Sequence, residues 1–147
     1  MYMNAPMRRY EAPMSPIAIL LNIIWLICGG AVAAFCWLVA ALIMAVTIIG
    51  LPWSFAAFRI AIYTALPFGH EIRPRFDANG LTALGNVVWF VLAGWWLAIV
   101  HLVVAVALAI TIIGLPFAWA HLKLAGASLA PLGKEIVTRG TPAWLPW

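Results

Sequence analysis

Thr47-Ile48-Ile49-Gly50-Leu51-Pro52 occurs a second time as Thr111-Ile112-Ile113-Gly114-Leu115-Pro116, 64 positions later. Holding that offset, Asn22 to Ile72 aligns with Asn86 to Ile136 without a gap, and 20 of the 51 aligned positions are identical. The identical pairs include Asn22/Asn86, Trp25/Trp89, Gly30/Gly94, Pro67/Pro131, Gly69/Gly133 and Glu71/Glu135. A gapless match of this length makes the chain a tandem repeat, so both copies are expected to adopt one fold.

Within each copy the Gly-Leu-Pro step carries the chemistry of a helix end followed by a helix start. Glycine at the end of a helix tolerates positive φ, and proline is favoured in the first turn of the next helix. A helical hairpin is therefore expected in each copy. Its first arm runs from Ile17 to Ile49 in copy one, kinked near Gly29-Gly30, and its second from Trp53 to Leu66. At ~1.5 Å per residue the first arm is ~50 Å long, more than a ~30 Å hydrocarbon core, so it must tilt or project. The second is only ~21 Å long and is either a short return crossing or a helix in the interface. Ser54, Arg59 and Thr64 point in different directions, and Lys123 lies away from His121 and Ser128. Neither second arm is strongly amphipathic, which favours the crossing.

The composition independently requires a membrane. Of 147 residues, 67% are hydrophobic and 8% charged, with a mean hydropathy of +1.09. No charged residue stands between Glu11 and Arg59 or between Asp77 and Lys123, and either stretch far exceeds the ~20 apolar residues that cross a bilayer. Ile17 to Cys28 followed by Ala31-Val32-Ala33 has the outline of a cleaved signal sequence. Apolar sequence nonetheless continues to Gly50, and the aligned copy has Trp95-Trp96-Leu97 deep inside the chain.

The fold class expected is an all-α integral membrane protein of two tandem helical hairpins with about four transmembrane helices. The alternative is two long spanning helices plus short interfacial or re-entrant ones. The divisions are a tail over 1–16, a first membrane repeat over 17–72, a connector loop over 73–80, a second repeat over 81–136 and a tail over 137–147. Arg8 and Arg9, Arg73 and Arg75, and Lys134 and Arg139 flank the apolar blocks. Basic residues near membrane ends favour the cytoplasm, placing all three polar segments, both termini included, on that side. Trp144 and Trp147 suit the headgroup region.

The net charge of +4 does not point to nucleic acid, because no basic run is longer than Arg8-Arg9 and no polar domain exists to carry it. Cys28 and Cys36 would lie ~12 Å apart on one helix, beyond disulfide reach, and match no metal-ligand set. His70, His101 and His121 share no spacing. Neither a catalytic constellation nor a cofactor or metal site is legible, so the protein is not expected to be an enzyme.

Asn22-x-x-Trp25, a glycine pair, Thr-Ile-Ile-Gly-Leu-Pro, and Leu66-Pro67-Phe68-Gly69-His70-Glu71-Ile72, repeated as Ala130-Pro131-Leu132-Gly133-Lys134-Glu135-Ile136, form a doubled motif. It resembles the YccF family of bacterial inner-membrane proteins, built from two inner membrane component domains. The resemblance spans about residues 17 to 137 and implies the cytoplasmic membrane of a bacterium. It carries over no catalytic residue.

Arg59 and Lys123 align and stand in otherwise apolar arms. A cation inside a membrane costs at least ~2.5 kcal/mol on insertion scales and is a functional-site candidate. The alternative role is snorkelling to the interface or pairing with Glu71 and Glu135. Thr47, Gly50 and Pro52, with Thr111, Gly114 and Pro116, mark a broken helix whose free backbone groups either line a pathway or form a plain turn. Asn22 and Asn86 share a face with Trp25 and Trp89 and are expected to bond between helices, repeats or subunits. The function expected is an oligomeric channel or transporter subunit for small ions or solutes, anions slightly preferred. The alternative is a non-transporting membrane interaction or assembly protein. The partners expected are the lipid bilayer and further copies of the chain.

Overall fold

The computed structural model describes residues 13–141. The expectations placed on Arg8, Arg9, Glu11, Trp144 and Trp147 fall outside the described residues.

Helix α1 spans Pro16–Val46. Ser15 starts it, its hydroxyl accepting from the Ala18 amide at 3.2 Å, and Pro16 takes a first-turn position that has no N–H partner to lose. A π-helical turn over Leu26–Gly30, with Gly29 at φ 127°, interrupts it where the glycine pair predicts a kink. The chain turns at Thr47 to Gly50 and returns as α2, Leu51–Ala65. The second copy repeats this as α3, Gly80–Ile110, with its π-helical turn at the equivalent Phe90–Gly94. A 3-10 turn over Ile112–Gly114 then leads into α4, Leu115–Leu129.

The fold is therefore an all-α membrane fold of two tandem hairpins. The long arms are 31 residues each, ~46 Å at the helical rise, and the short arms are 15, ~22 Å. Pro16–Val46, Gly80–Ile110 and, counting its leading turn, Ile112–Leu129 are long and apolar enough to cross a membrane. Helix α2 falls short of that length because no helical turn precedes it; Ile48 there adopts φ 57°.

The short arms form the centre and the long arms the outside. Ala56, Ala57, Ile60, Ala61, Tyr63 and Thr64 of α2 are buried, as are Phe117, Ala118, Ala120, Leu124, Ala127 and Ser128 of α4. Outward positions of the long arms are apolar and exposed, as with Ile27, Leu42, Leu92 and Val103. In water such a surface would drive association; in a bilayer it meets its own kind.

The connector, expected as a loop over 73–80, begins instead inside a strand. Strand β1, His70–Pro74, pairs antiparallel with β2, Lys134–Thr138. Neither segment has a partner within its own copy, so the ribbon forms only because the hairpins stand side by side. In its register Ile72 faces Ile136, which are equivalent residues of the repeat, and a local two-fold therefore passes between them. Two equivalent bonds extend it: the Arg75 amide donates to Gly133 O and the Arg139 amide to Gly69 O, each at 2.8 Å. Each hairpin begins and ends at the ribbon, since Met14 and Ala18 pack beside Gly69 as Ala78 and Thr82 pack beside Gly133. The ribbon and the described start of α1 thus lie at one end of the helices.

Candidate functional site

The residues that mark the repeat clamp each hairpin shut. The Asn22 side-chain amide donates to Phe68 O at 2.8 Å and accepts from the Phe68 amide at 3.0 Å. Asn86 does the same with Leu132, at 3.2 and 3.0 Å. The Trp25 indole N–H donates to Thr64 O at 2.7 Å and that of Trp89 to Ser128 O at 2.8 Å. Pro67 and Pro131 stop the short arms and strand the last carbonyls there. The asparagine and indole donors supply what the missing helical turn would have supplied. The asparagines thus bond within their own repeat to loop backbone, and not between repeats, because backbone groups freed by proline are the nearest unsatisfied partners. Gly30 lacks a side chain for the same reason: a Cβ there would overlap the Trp25 indole.

At the other end of each hairpin the broken helix satisfies itself. The Thr47 hydroxyl donates to Met44 O at 2.8 Å and accepts from the Gly50 amide at 3.2 Å; the Thr111 hydroxyl donates to Leu108 O at 2.8 Å. Pro52 and Pro116 lie in the first turns of α2 and α4, as expected. The glycines do not use positive φ, however: Gly50 and Gly114 both sit at φ −78°. Their role is space, since a Cβ on Gly50 would come within 2.6 Å of Met44 O, and one on Gly114 would overlap Leu108 O.

Arg59 and Lys123 do not come together. Arg59 lines a cleft of about 760 Å³ with Arg75, Asp77 and Asn79 at its ribbon end and Leu81, Leu84 and Val88 along α3. It also lines a second cleft, of about 480 Å³, with His70, Arg75 and Glu135. Its Nε is buried, and among the described residues it has no hydrogen-bond partner. Of the carboxylates lining the two clefts, Asp77 pairs with Arg75 and Glu135 Oε1 with Arg73 at 2.6 Å, while Glu135 Oε2 is buried with no hydrogen-bond partner among the described residues. Pairing of Arg59 with Glu71 or Glu135 is therefore not what the structure contains. Lys123 instead lies over the Trp119 ring, 5.8 Å from its centroid, within electrostatic reach of Glu71. Glu71 and Glu135 sit on the ribbon strands and not on helices.

The inner membrane component domain model matches residues 20–70 and 84–134. The matched stretches start at equivalent positions of the repeat, just ahead of Asn22 and Asn86, and end at the first residue of each ribbon strand. The chain belongs to the YccF family. It is 32% identical over 128 residues to the inner membrane protein YccF of Escherichia coli K12, covering 80% of this chain and 86% of that one, and equally to the YccF protein of Shigella flexneri. No solved structure matches it.

The YccF resemblance places the chain in the bacterial inner membrane but leaves two structural groupings unread. One is the ribbon with its Arg73–Glu135 pair, whose members are 62 residues apart and share no local pattern. The other is His101, which faces His121 with their Nδ1 atoms 3.0 Å apart, one ring donating and the other accepting. His121 also lies 5.1 Å from the Trp25 ring. The signal for this pair existed only as a contrast between copies, since positions 101 and 121 correspond to Trp37 and Ala57.

Proposed function

We propose that this YccF protein is a non-enzymatic, oligomeric inner-membrane subunit that engages an anionic group at the Arg59 cleft, with the ribbon on the cytoplasmic side. The observation that carries this is the buried Arg59 Nε, which has no hydrogen-bond partner among the described residues. A cation in a membrane arm is costly, and the neighbouring carboxylates are shared with other cations, Glu135 with Arg73 and Asp77 with Arg75. A site that keeps such a charge unneutralised is suited to an anion from outside the chain. Oligomerisation is favoured because the long arms leave exposed apolar faces for further copies. The basic bias of the three polar segments supports the orientation.

The test is unfolding of the purified protein in neutral detergent with added anions, from inorganic phosphate to anionic phospholipid. At least one should raise the midpoint of the wild type and fail to raise that of Arg59→Gln; a wild type that responds to none overturns the reading. Ion passage, with anions favoured, is a second reading supported by the same cation and decided in liposomes. A chloride flux removed by Arg59→Met with assembly intact would establish it, and folded protein without flux would leave the assembly reading. For orientation, Phe76→Cys and Thr141→Cys, in a background lacking Cys28 and Cys36, should both resist impermeant thiol reagents added from outside the cell. Labelling of either reverses the assignment.

A further inference from the structure

The larger Arg59 cleft is polar at one end and apolar along its length. Its mouth holds Arg59, Arg75, Asp77 and Asn79, beside the ribbon. Along α2 and α3 it is walled by side chains that face outward from the helices: Leu81 is 79% exposed, Leu84 60% and Phe55 64%. Helix α3 is long and apolar enough to cross the membrane, so this wall opens onto lipid. Because Arg75 and Asp77 are paired with one another, the charge left to the cleft is that of Arg59.

We propose that this cleft is a binding site for an anionic phospholipid, its phosphate on the Arg59 guanidinium and one acyl chain along Leu81, Leu84 and Phe55. The inference rests on the reading that Arg59 engages an anionic group, and it names that group. A volume of about 760 Å³ falls within the roughly 300–1,000 Å³ of ordinary ligand pockets and is far more than a bare inorganic anion fills. Its change from basic mouth to apolar wall follows the change from headgroup to chain in an amphiphile. Basic pockets between membrane helices hold anionic headgroups in this manner, and a planar guanidinium suits a phosphate by paired hydrogen bonds. In the other half Phe117, the counterpart of Trp53 in the cleft wall, stacks on Trp25, their centroids 6.0 Å apart, and meets Phe68 edge-on, while Lys123 lies over the Trp119 ring. One lipid per chain is therefore expected, dependent on Arg59 and independent of Lys123.

The experiment is native mass spectrometry of the full chain in neutral detergent, with thermal unfolding alongside, on adding dioleoyl phosphatidylglycerol, dioleoyl phosphatidylcholine or inorganic phosphate. Phosphatidylglycerol should bind once per chain and raise the unfolding midpoint. Arg59→Gln should weaken that binding about tenfold, while Lys123→Gln leaves it as in the wild type. If Arg59→Gln does not fold, Leu84→Trp, which narrows the apolar wall without touching the guanidinium, should still lower phosphatidylglycerol binding. Equal binding of the two lipids would overturn the lipid assignment, as would phosphatidylglycerol binding that neither variant alters. An Arg59-dependent response to inorganic phosphate alone would overturn it while leaving the anion reading in place. No Arg59-dependent response to any of the three would remove both.

Discussion

Arg59 and Lys123 hold the same position in the two copies, yet Arg59 lines an open cleft, its Nε without a hydrogen-bond partner among the described residues, while Lys123 lies over Trp119. Phe117 of the second copy stacks on Trp25 and meets Phe68 edge-on, whereas its counterpart Trp53 lines the Arg59 cleft. The asparagine and indole clamps, by contrast, match in partner position throughout and within 0.4 Å in length. The two copies agree where backbone groups must find donors or acceptors and differ where side chains need only fill space. An unpaired buried peptide group costs ~1–3 kcal/mol whatever surrounds it, whereas volume can be redistributed among neighbours. Trp37 with Ala57 in one half and His101 with His121 in the other fit that rule, large with small exchanged for two of middling size.

The largest effect is expected where the halves agree most. Asn22→Leu strands both the amide and the carbonyl of Phe68, and Asn86→Leu does the same to Leu132. Each should lower unfolding free energy in detergent by on the order of 3 kcal/mol. Losses differing by more than about 1 kcal/mol between the two variants would break the equivalence of the clamps.

Next are the turns. Gly50→Ala and Gly114→Ala each drive a Cβ against a carbonyl oxygen of the preceding helix, and each should cost about 1–3 kcal/mol by overpacking. Were the glycines there for positive φ, the cost would come from backbone strain; at φ −78° it must come from contact. Replacement by serine, similar in bulk to alanine, should cost about the same in a denaturant titration, and a serine variant as stable as wild type would refute the contact argument.

The ribbon offers a sharper contrast. Glu135 is 5% exposed and paired with Arg73, whereas Glu71 is only partly buried. Glu135→Gln should therefore cost about 1–2 kcal/mol, and Glu71→Gln only a few tenths, measured as shifts in unfolding midpoint. Equal shifts would mean that the ribbon is more symmetric than its ion pairs.

The smallest effect is predicted for Lys123→Met. The residue is half-buried and its apolar stem is retained, so stability should stay within about 0.5 kcal/mol of wild type. A larger loss in circular-dichroism melts would give Lys123 the structural role that its contact with Trp119 alone does not.

The sequence by itself determined the membrane class, the repeat, the hairpins, the kink at Gly29-Gly30 and the proline-led short arms. These are local properties: apolar length, a glycine pair and a Gly-Leu-Pro step act through neighbours along the chain, and the 64-residue offset made the apolar length and the Gly-Leu-Pro step readable twice. The tertiary structure alone decided that His70–Pro74 is a strand, that Asn22 bonds to Phe68, that His101 meets His121 and that Arg59 faces a cleft. Each joins residues that only folding brings together, as with the 46 residues between Asn22 and Phe68. A strand needs a second strand and a stranded carbonyl needs a donor; which segment supplies either depends on how the two hairpins stand against one another.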